Sequence, residues 1–172
     1  MGNILYAAYG SNLHPIRLSE RVPSAKYLGK GILNNKVLRF HKLSKDGSGK
    51  CNIVDDDTQN IYLAVYKIDP SEKLLLDNIE GVGYGYRTEE VKVAGFGTCF
   101  TYIAQESHIV DSLNPYTWYK ELVLVGCINL EVPSDYIERI RNVAADVDID
   151  KQRHSKHMQL VANAKNNHID FL

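Results

Sequence analysis

Gly10, Ser11 and Asn12 interrupt a nearly continuous apolar run, Ile4 to Tyr9, and a segment with helical spacing follows them. A strand that stops in such a turn and opens a helix leaves several backbone N–H groups unpaired and aimed one way. Backed by the positive end of the helix dipole, that nest suits a carboxylate or phosphate. The same residues favour ordinary turns on conformational grounds, and spacing alone leans to that reading. Glu80 is the second residue with chemistry in its setting. It falls in the last turn of a helix that Asp69-Pro70-Ser71-Glu72 should open, where the negative dipole end disfavours another anion. Asp77, three residues earlier, shares its side of the helix and repels it. Leu76, four residues earlier, makes that face partly apolar. All three effects favour proton uptake, as a general base requires. Taken alone, Glu80 is more simply read as a solvated glutamate at a helix end.

The remaining candidates are weaker. His14 adjoins the turn, but before Pro15 it reads as a polar surface residue. His154 and His157 lie three apart on an expected helix and could face a metal; no third ligand has useful spacing, so no metal site is expected. Gly81-Val82-Gly83-Tyr84-Gly85 has phosphate-loop spacing yet follows a helix rather than a strand, which excludes a dinucleotide reading. It reads instead as a flexible segment leading away from Glu80; whether it serves as a lid the sequence leaves open, and Tyr84 at its tip could contact a leaving amine. Cys99 and Cys127 sit in apolar stretches and read as small core residues. No cysteine has the setting of a nucleophile, which disfavours a Cys/His hydrolase.

Tyr6-Ala7-Ala8-Tyr9-Gly10-Ser11-Asn12-Leu13 closely resembles the signature of the γ-glutamylcyclotransferase family. Leu76-Asp77-Asn78-Ile79-Glu80-Gly81-Val82, followed by Tyr86, resembles its second motif, which carries the catalytic glutamate. A looser third pattern runs from Asn114-Pro115 through Tyr119, Val125-Gly126, Val132-Pro133 and Tyr136. The resemblance implies a cofactor-free intramolecular aminolysis: the α-amine of an L-γ-glutamyl group attacks its own γ-carbonyl, releasing 5-oxoproline and an amine or amino acid. In that scheme Glu80 is the acid/base, and Tyr9, Gly10, Ser11, Asn12 and Leu13 hold the glutamyl moiety, with Tyr86 offering a hydroxyl or simply packing. Relatives that act on γ-glutamyl-amines carry Tyr-Gly-Thr-Leu in the loop. The wording here is more similar to relatives acting on γ-glutamyl amino acids, within glutathione metabolism, or removing a γ-glutamyl protecting group in antibiotic biosynthesis. A non-catalytic small-molecule binding module is the rival; an anion binder gains nothing from the extra carboxylate of Glu80.

Bulk properties fit a small enzyme. The chain has 172 residues, 44% hydrophobic and 24% charged, with a formal net charge of −1. That size suits a single domain, 1–172, able to bury about two-thirds of its unfolded surface. The balanced charge gives no basic field for nucleic acid. No apolar run approaches the roughly 20 residues of a membrane span, and the N-terminus lacks a signal-peptide pattern. Three cysteines, Cys51, Cys99 and Cys127, at no metal or redox spacing favour a reducing, cytoplasmic setting. The expected partner is a small γ-glutamyl substrate, with room for a homodimer. Eleven tyrosines suggest packing residues with wet hydroxyls, a few of them lining a polar pocket.

These residues need elements to position them. Ile4 to Tyr9 reads as a strand buried on both faces. A short helix to about Arg21 should be capped by Asn12 or Ser11 and stopped by Pro23. Strands are expected at Lys36–Leu43, Ile61–Ile68, Arg87–Val93 and Thr98–Ala104, with turns at Ser44–Gly49, Asp55-Asp56-Asp57 and Gly95-Phe96-Gly97. Asp69 should cap a helix to Glu80, with Glu72 returning a bond to the cap and Gly81 as a left-handed stop. Leu122–Ile128 reads as a further strand, Ser134 to about Ala145 and Gln152–Ala164 as helices, with fraying from Asn166 on. The class expected is α+β: a small mixed, mostly antiparallel sheet curled into a barrel, with flanking helices. Closure rests on the family resemblance.

Overall fold

Two long strands, β2 (Lys26–Leu43) and β3 (Gly49–Ile68), form a hairpin that supplies most of the sheet in this computed structural model, which describes residues 2–167. Asp55–Asp57, expected as a turn, lies inside β3. Its turn chemistry is met without reversing the chain. Asn35 adopts φ 58° opposite it, the register shifts between Asn34 and Lys36, and Lys36 pairs with Asp55 at 2.5 Å. A bulge absorbs the irregularity and the ladder resumes.

β1 (Ile4–Ala8) pairs antiparallel with β3 and parallel with β5 (Gly97–Ala104), which pairs antiparallel with β4 (Tyr86–Val93). The order β2-β3-β1-β5-β4 makes the mixed, mostly antiparallel sheet expected. Its closure is corrected: no ladder joins β2 to β4 among the described residues. The sheet curls, and its edges meet through side chains lying on bare glycines. A Cβ on Gly31 would come within 2.5 Å of Val93 Cγ1, and one on Gly29 within 2.8 Å of Phe96 Cζ. Rings and methyls fill the space a closing ladder would occupy.

The helices hold the site from outside the sheet. α1 (Pro15–Ser19) is capped by His14, whose Nδ1 accepts from Ile16 N–H at 3.3 Å, so neither Asn12 nor Ser11 caps it. His14 is buried rather than at the surface. α2 (Pro70–Glu80) begins at Asp69 and ends at Gly81, φ 79°, as expected. Its capping box differs. The Asp69 N–H donates to Ser24 Oγ at 2.9 Å, and Glu72 accepts from Ser24 instead of from the cap. A serine 45 residues away thus anchors the start of α2.

α3 (Thr117–Asn129) overturns the strand expected at Leu122–Ile128. Its residues are buried almost all round, under α4 (Ser134–Arg141) and α5 (Lys151–Asn166), and a fully buried helix has the same continuous apolar pattern as a central strand. Gly126 sets its closest approach: a Cβ there would collide with Leu13 Cβ and reach His14 N at 3.2 Å. α3 therefore lies directly on the turn that follows β1. Fraying beyond Asn166 concerns mainly residues 168–172, outside the described residues. No helix of the described residues is long and apolar enough to cross a membrane.

Candidate active site

The turn after β1 and the end of α2 face each other across a narrow cavity of about 30 Å³. Tyr9, Gly10, Ser11 and Asn12 line it from one side and Glu80 from the other, with Tyr86, Tyr6, Tyr102, Tyr119 and Cys51 completing its walls. The structure thus brings together six of the seven residues singled out from the sequence. Leu13 is set apart. It is buried in the core, its carbonyl accepts from Tyr66 OH at 2.8 Å, and its side chain supports the turn.

No acceptor among the described residues takes the N–H of Gly10, Ser11 or Asn12. The turn is held by other groups: Leu13 N–H donates to the Gly10 carbonyl at 3.0 Å. Three donors at a cavity wall, without protein acceptors, could together hold an anion as a cradle. Gly10 is needed for this packing. A Cβ there would lie 3.2 Å from Cys51 Cβ and 3.3 Å from the Tyr119 hydroxyl.

Glu80 is held by contacts that sequence reasoning missed. Its Oε1 accepts from Arg21 Nη1 at 2.7 Å and from Asn12 Nδ2 at 2.9 Å, and Arg21 also donates to Asn12 Oδ1 at 3.1 Å. The carboxylate and guanidinium side chains are only 19% and 22% exposed. No bond from a described residue reaches Oε2, which leaves that oxygen for a substrate. Asn12 also donates to Tyr6 OH at 3.2 Å, so it ties the cradle loop to the carboxylate. Because His14 caps α1, the Asn12 amide is available for this link.

Asp77 does not act on Glu80 as the spacing predicts. Lys73 Nζ lies 2.8 Å from both of its carboxylate oxygens, and Tyr102 OH donates to it at 2.7 Å. Its charge is compensated, and it tethers α2 to β5 beside the cavity. The tyrosine walls are fixed in a similar way. Tyr9 OH donates to the Tyr102 carbonyl, and Tyr86 OH donates to the Cys51 carbonyl at 2.5 Å. Tyr119 OH accepts from Cys51 N–H at 3.2 Å. Burial holds the hydroxyls of Tyr6, Tyr9, Tyr86 and Tyr119 protonated, the negative charge of Glu80 adding to the effect.

Burial also pushes the Cys51 thiol up to about 12, so it is no nucleophile at neutral pH. Cys99 and Cys127 are buried free thiols, as expected. No group of three or more His, Cys, Asp and Glu among the described residues could hold a metal. His157 stacks on Trp118 with ring centroids 4.0 Å apart. Gly81–Gly85 is a tight turn closed on itself, with Gly83 N–H donating to the Tyr86 carbonyl and Tyr84 N–H to the Gly81 carbonyl. Tyr84 is exposed outside the cavity walls, its ring 4.9 Å from Lys45 Nζ.

An open mixed sheet whose first strand ends in a turn with unpaired backbone donors, set against a helix-end carboxylate, has the architecture of a small α+β protein with one candidate small-molecule site. The AIG2-like family model matches residues 60–140. Human gamma-glutamylcyclotransferase is 30% identical over 151 residues, covering 82% of this chain and 79% of the relative, and the mouse protein is 28% identical over 149 residues. A solved gamma-glutamyl cyclotransferase superposes with a TM-score of 0.82 at 26% identity, covering 94% of this chain and 99% of the other. The chain belongs to the γ-glutamylcyclotransferase family of enzymes.

Proposed function

We propose that the protein cyclises the γ-glutamyl group of a small substrate, releasing 5-oxoproline and an amine or amino acid. The observation that carries this reading is the disposition of Glu80: Oε1 is fixed by Arg21 and Asn12, Oε2 takes no bond from a described residue, and the carboxylate lines one cavity with Gly10, Ser11 and Asn12. The substrate's α-carboxylate takes cradle donors, which curls the glutamyl chain and presents its α-nitrogen to Oε2. That nitrogen arrives as ammonium and cannot attack until Glu80 takes a proton. The freed amine then forms a bond to the γ-carbonyl carbon, Cδ, and the carbonyl oxygen gains negative charge near the remaining cradle donors. As the Cδ–N bond to the leaving group breaks, Glu80 returns its proton to that nitrogen, then takes the surplus proton of the ring nitrogen and passes it to the released amine, which departs as ammonium. Both reacting atoms belong to one molecule, so holding the ring-like geometry is the main task of the walls.

Neither a metal nor another cofactor is required by this sequence of steps. Three free cysteines support a reducing, cytoplasmic setting. The test is release of 5-oxoproline from γ-glutamyl-alanine by the purified protein in a chelator. Release at an unchanged rate is expected. An inactive folded protein, or activity abolished by the chelator, would overturn the reading.

A further inference from the structure

Beside the catalytic cavity lies a larger hollow of about 250 Å³, and the two share Ser11, Glu80, Tyr86 and Tyr119 as walls. Cations dominate its lining. Three have carboxylate partners: Arg21 on Glu80 at 2.7 Å, Lys50 on Asp46 at 2.9 Å and Arg153 on Asp148 at 2.6 Å. Arg17 and Lys42 have none among the described residues. Each is only 6% exposed. The guanidinium of Arg17 donates to no described residue, and its Nε is enclosed without a partner. Lys42 Nζ rests 4.5 Å above the Tyr86 ring, with no described acceptor. Gly85 makes room for it, since a Cβ there would come within 2.9 Å of that nitrogen.

Two buried cations without counter-charges are costly to fold, and a ligand anion can offset that cost. Both are within electrostatic reach of the reacting carboxylate. Burial pulls Arg17 down to about 10 and lowers Lys42, while the charge of Glu80 draws each back up. When Glu80 takes the substrate's proton, this corner loses a negative charge, and an anion bound there gains weight at the moment of attack.

We propose that this hollow is the leaving-group subsite, and that Arg17 and Lys42 select a leaving amine bearing two carboxylates: an acidic amino acid or short acidic peptide. The inference rests on the cyclisation reading above. The glutamyl α-carboxylate is already taken by the cradle, so the leaving group must supply the charge that matches these cations. One carboxylate leaves one cation buried and unmatched; an alkylamine leaves both.

The test compares 5-oxoproline release from γ-glutamyl-glutamate, γ-glutamyl-glutamine and γ-glutamyl-butylamine. The first two differ in little but one charge. The expected kcat/KM falls about tenfold at each carboxylate removed, and the gap narrows at high salt. Lys42→Met and Arg17→Met should each shrink the glutamate-to-glutamine ratio by about tenfold, with Lys42→Arg restoring it. Equal kcat/KM for γ-glutamyl-glutamate and γ-glutamyl-glutamine would overturn the subsite and leave cyclisation standing. A ratio unmoved in a folded Lys42→Met protein would do the same. Release from none of the three substrates would overturn both readings.

Discussion

Replacing Glu80 by Gln separates chemistry from architecture at this site. Glutamine keeps the shape and still offers an oxygen to Arg21 and Asn12, which now bond Oε1 at 2.7 and 2.9 Å. The open oxygen becomes an amide NH2, which cannot accept a proton. A general acid/base contributes roughly a 100- to 10,000-fold rate factor, so kcat should fall by that much. Stability should change little. The pair lost is an ion pair about one-fifth exposed on each side, and solvent screening holds its worth to about 1 kcal/mol or less. Relief of a negative charge at the end of α2 offsets part of that loss. For a chain of this length about 1 kcal/mol shifts Tm by roughly 2–4 °C. Binding should persist, because the backbone donors of Gly10, Ser11 and Asn12 are untouched. The assay is 5-oxoproline release, with Tm by calorimetry and 5-oxoproline affinity by titration on the same preparations. Near-wild-type turnover in a folded protein would refute Glu80 as the base.

Three further perturbations probe the supports. Gly126→Ala puts a methyl where α3 meets Leu13, so overpacking should cost about 1–3 kcal/mol and displace the cradle loop; a lowered Tm with raised KM checks this. Tyr102→Phe removes the 2.7 Å bond to Asp77 that tethers α2, and should lower kcat about tenfold with KM nearly unchanged, measured by steady-state kinetics. His157, packed on Trp118 among Arg17, Lys156 and Lys50, has its proton affinity lowered to about 4, chiefly by burial. The folded protein binds this proton less tightly than the unfolded chain does. Its contribution is therefore fully present above about 6.5 and is lost as pH falls from there to about 4. His157→Gln should flatten the decline of Tm over that window, and an unchanged decline would count against this assignment.

What the sequence determined by itself is local. The Ile4–Tyr9 run, the Gly10-Ser11-Asn12 break, the Asp69-Pro70 start and the Gly81 stop are each decided by backbone preference within a few residues, and the structure keeps all of them. So too the hairpin around Gly95–Gly97. What only the tertiary structure decided is who stands opposite whom. Leu122–Ile128 became a helix because its burial comes from α4 and α5, and continuous apolarity carries no period to tell helix from strand. Asp55–Asp57 stayed in a strand because residues 56–59 of β3 bulge out of the ladder opposite Asn35, with Thr58 N–H donating to Asp56 Oδ1. At the site, Arg21 and Asn12 meet Glu80 across 59 and 68 residues of chain, and Tyr102 reaches Asp77 across 25. Local spacing therefore told of Asp77's repulsion but not of the lysine and tyrosine that compensate it. The buried, unmatched Arg17 and Lys42 have no signal in the sequence at all, because a lysine or arginine is ordinarily exposed and only packing shows that these two are not.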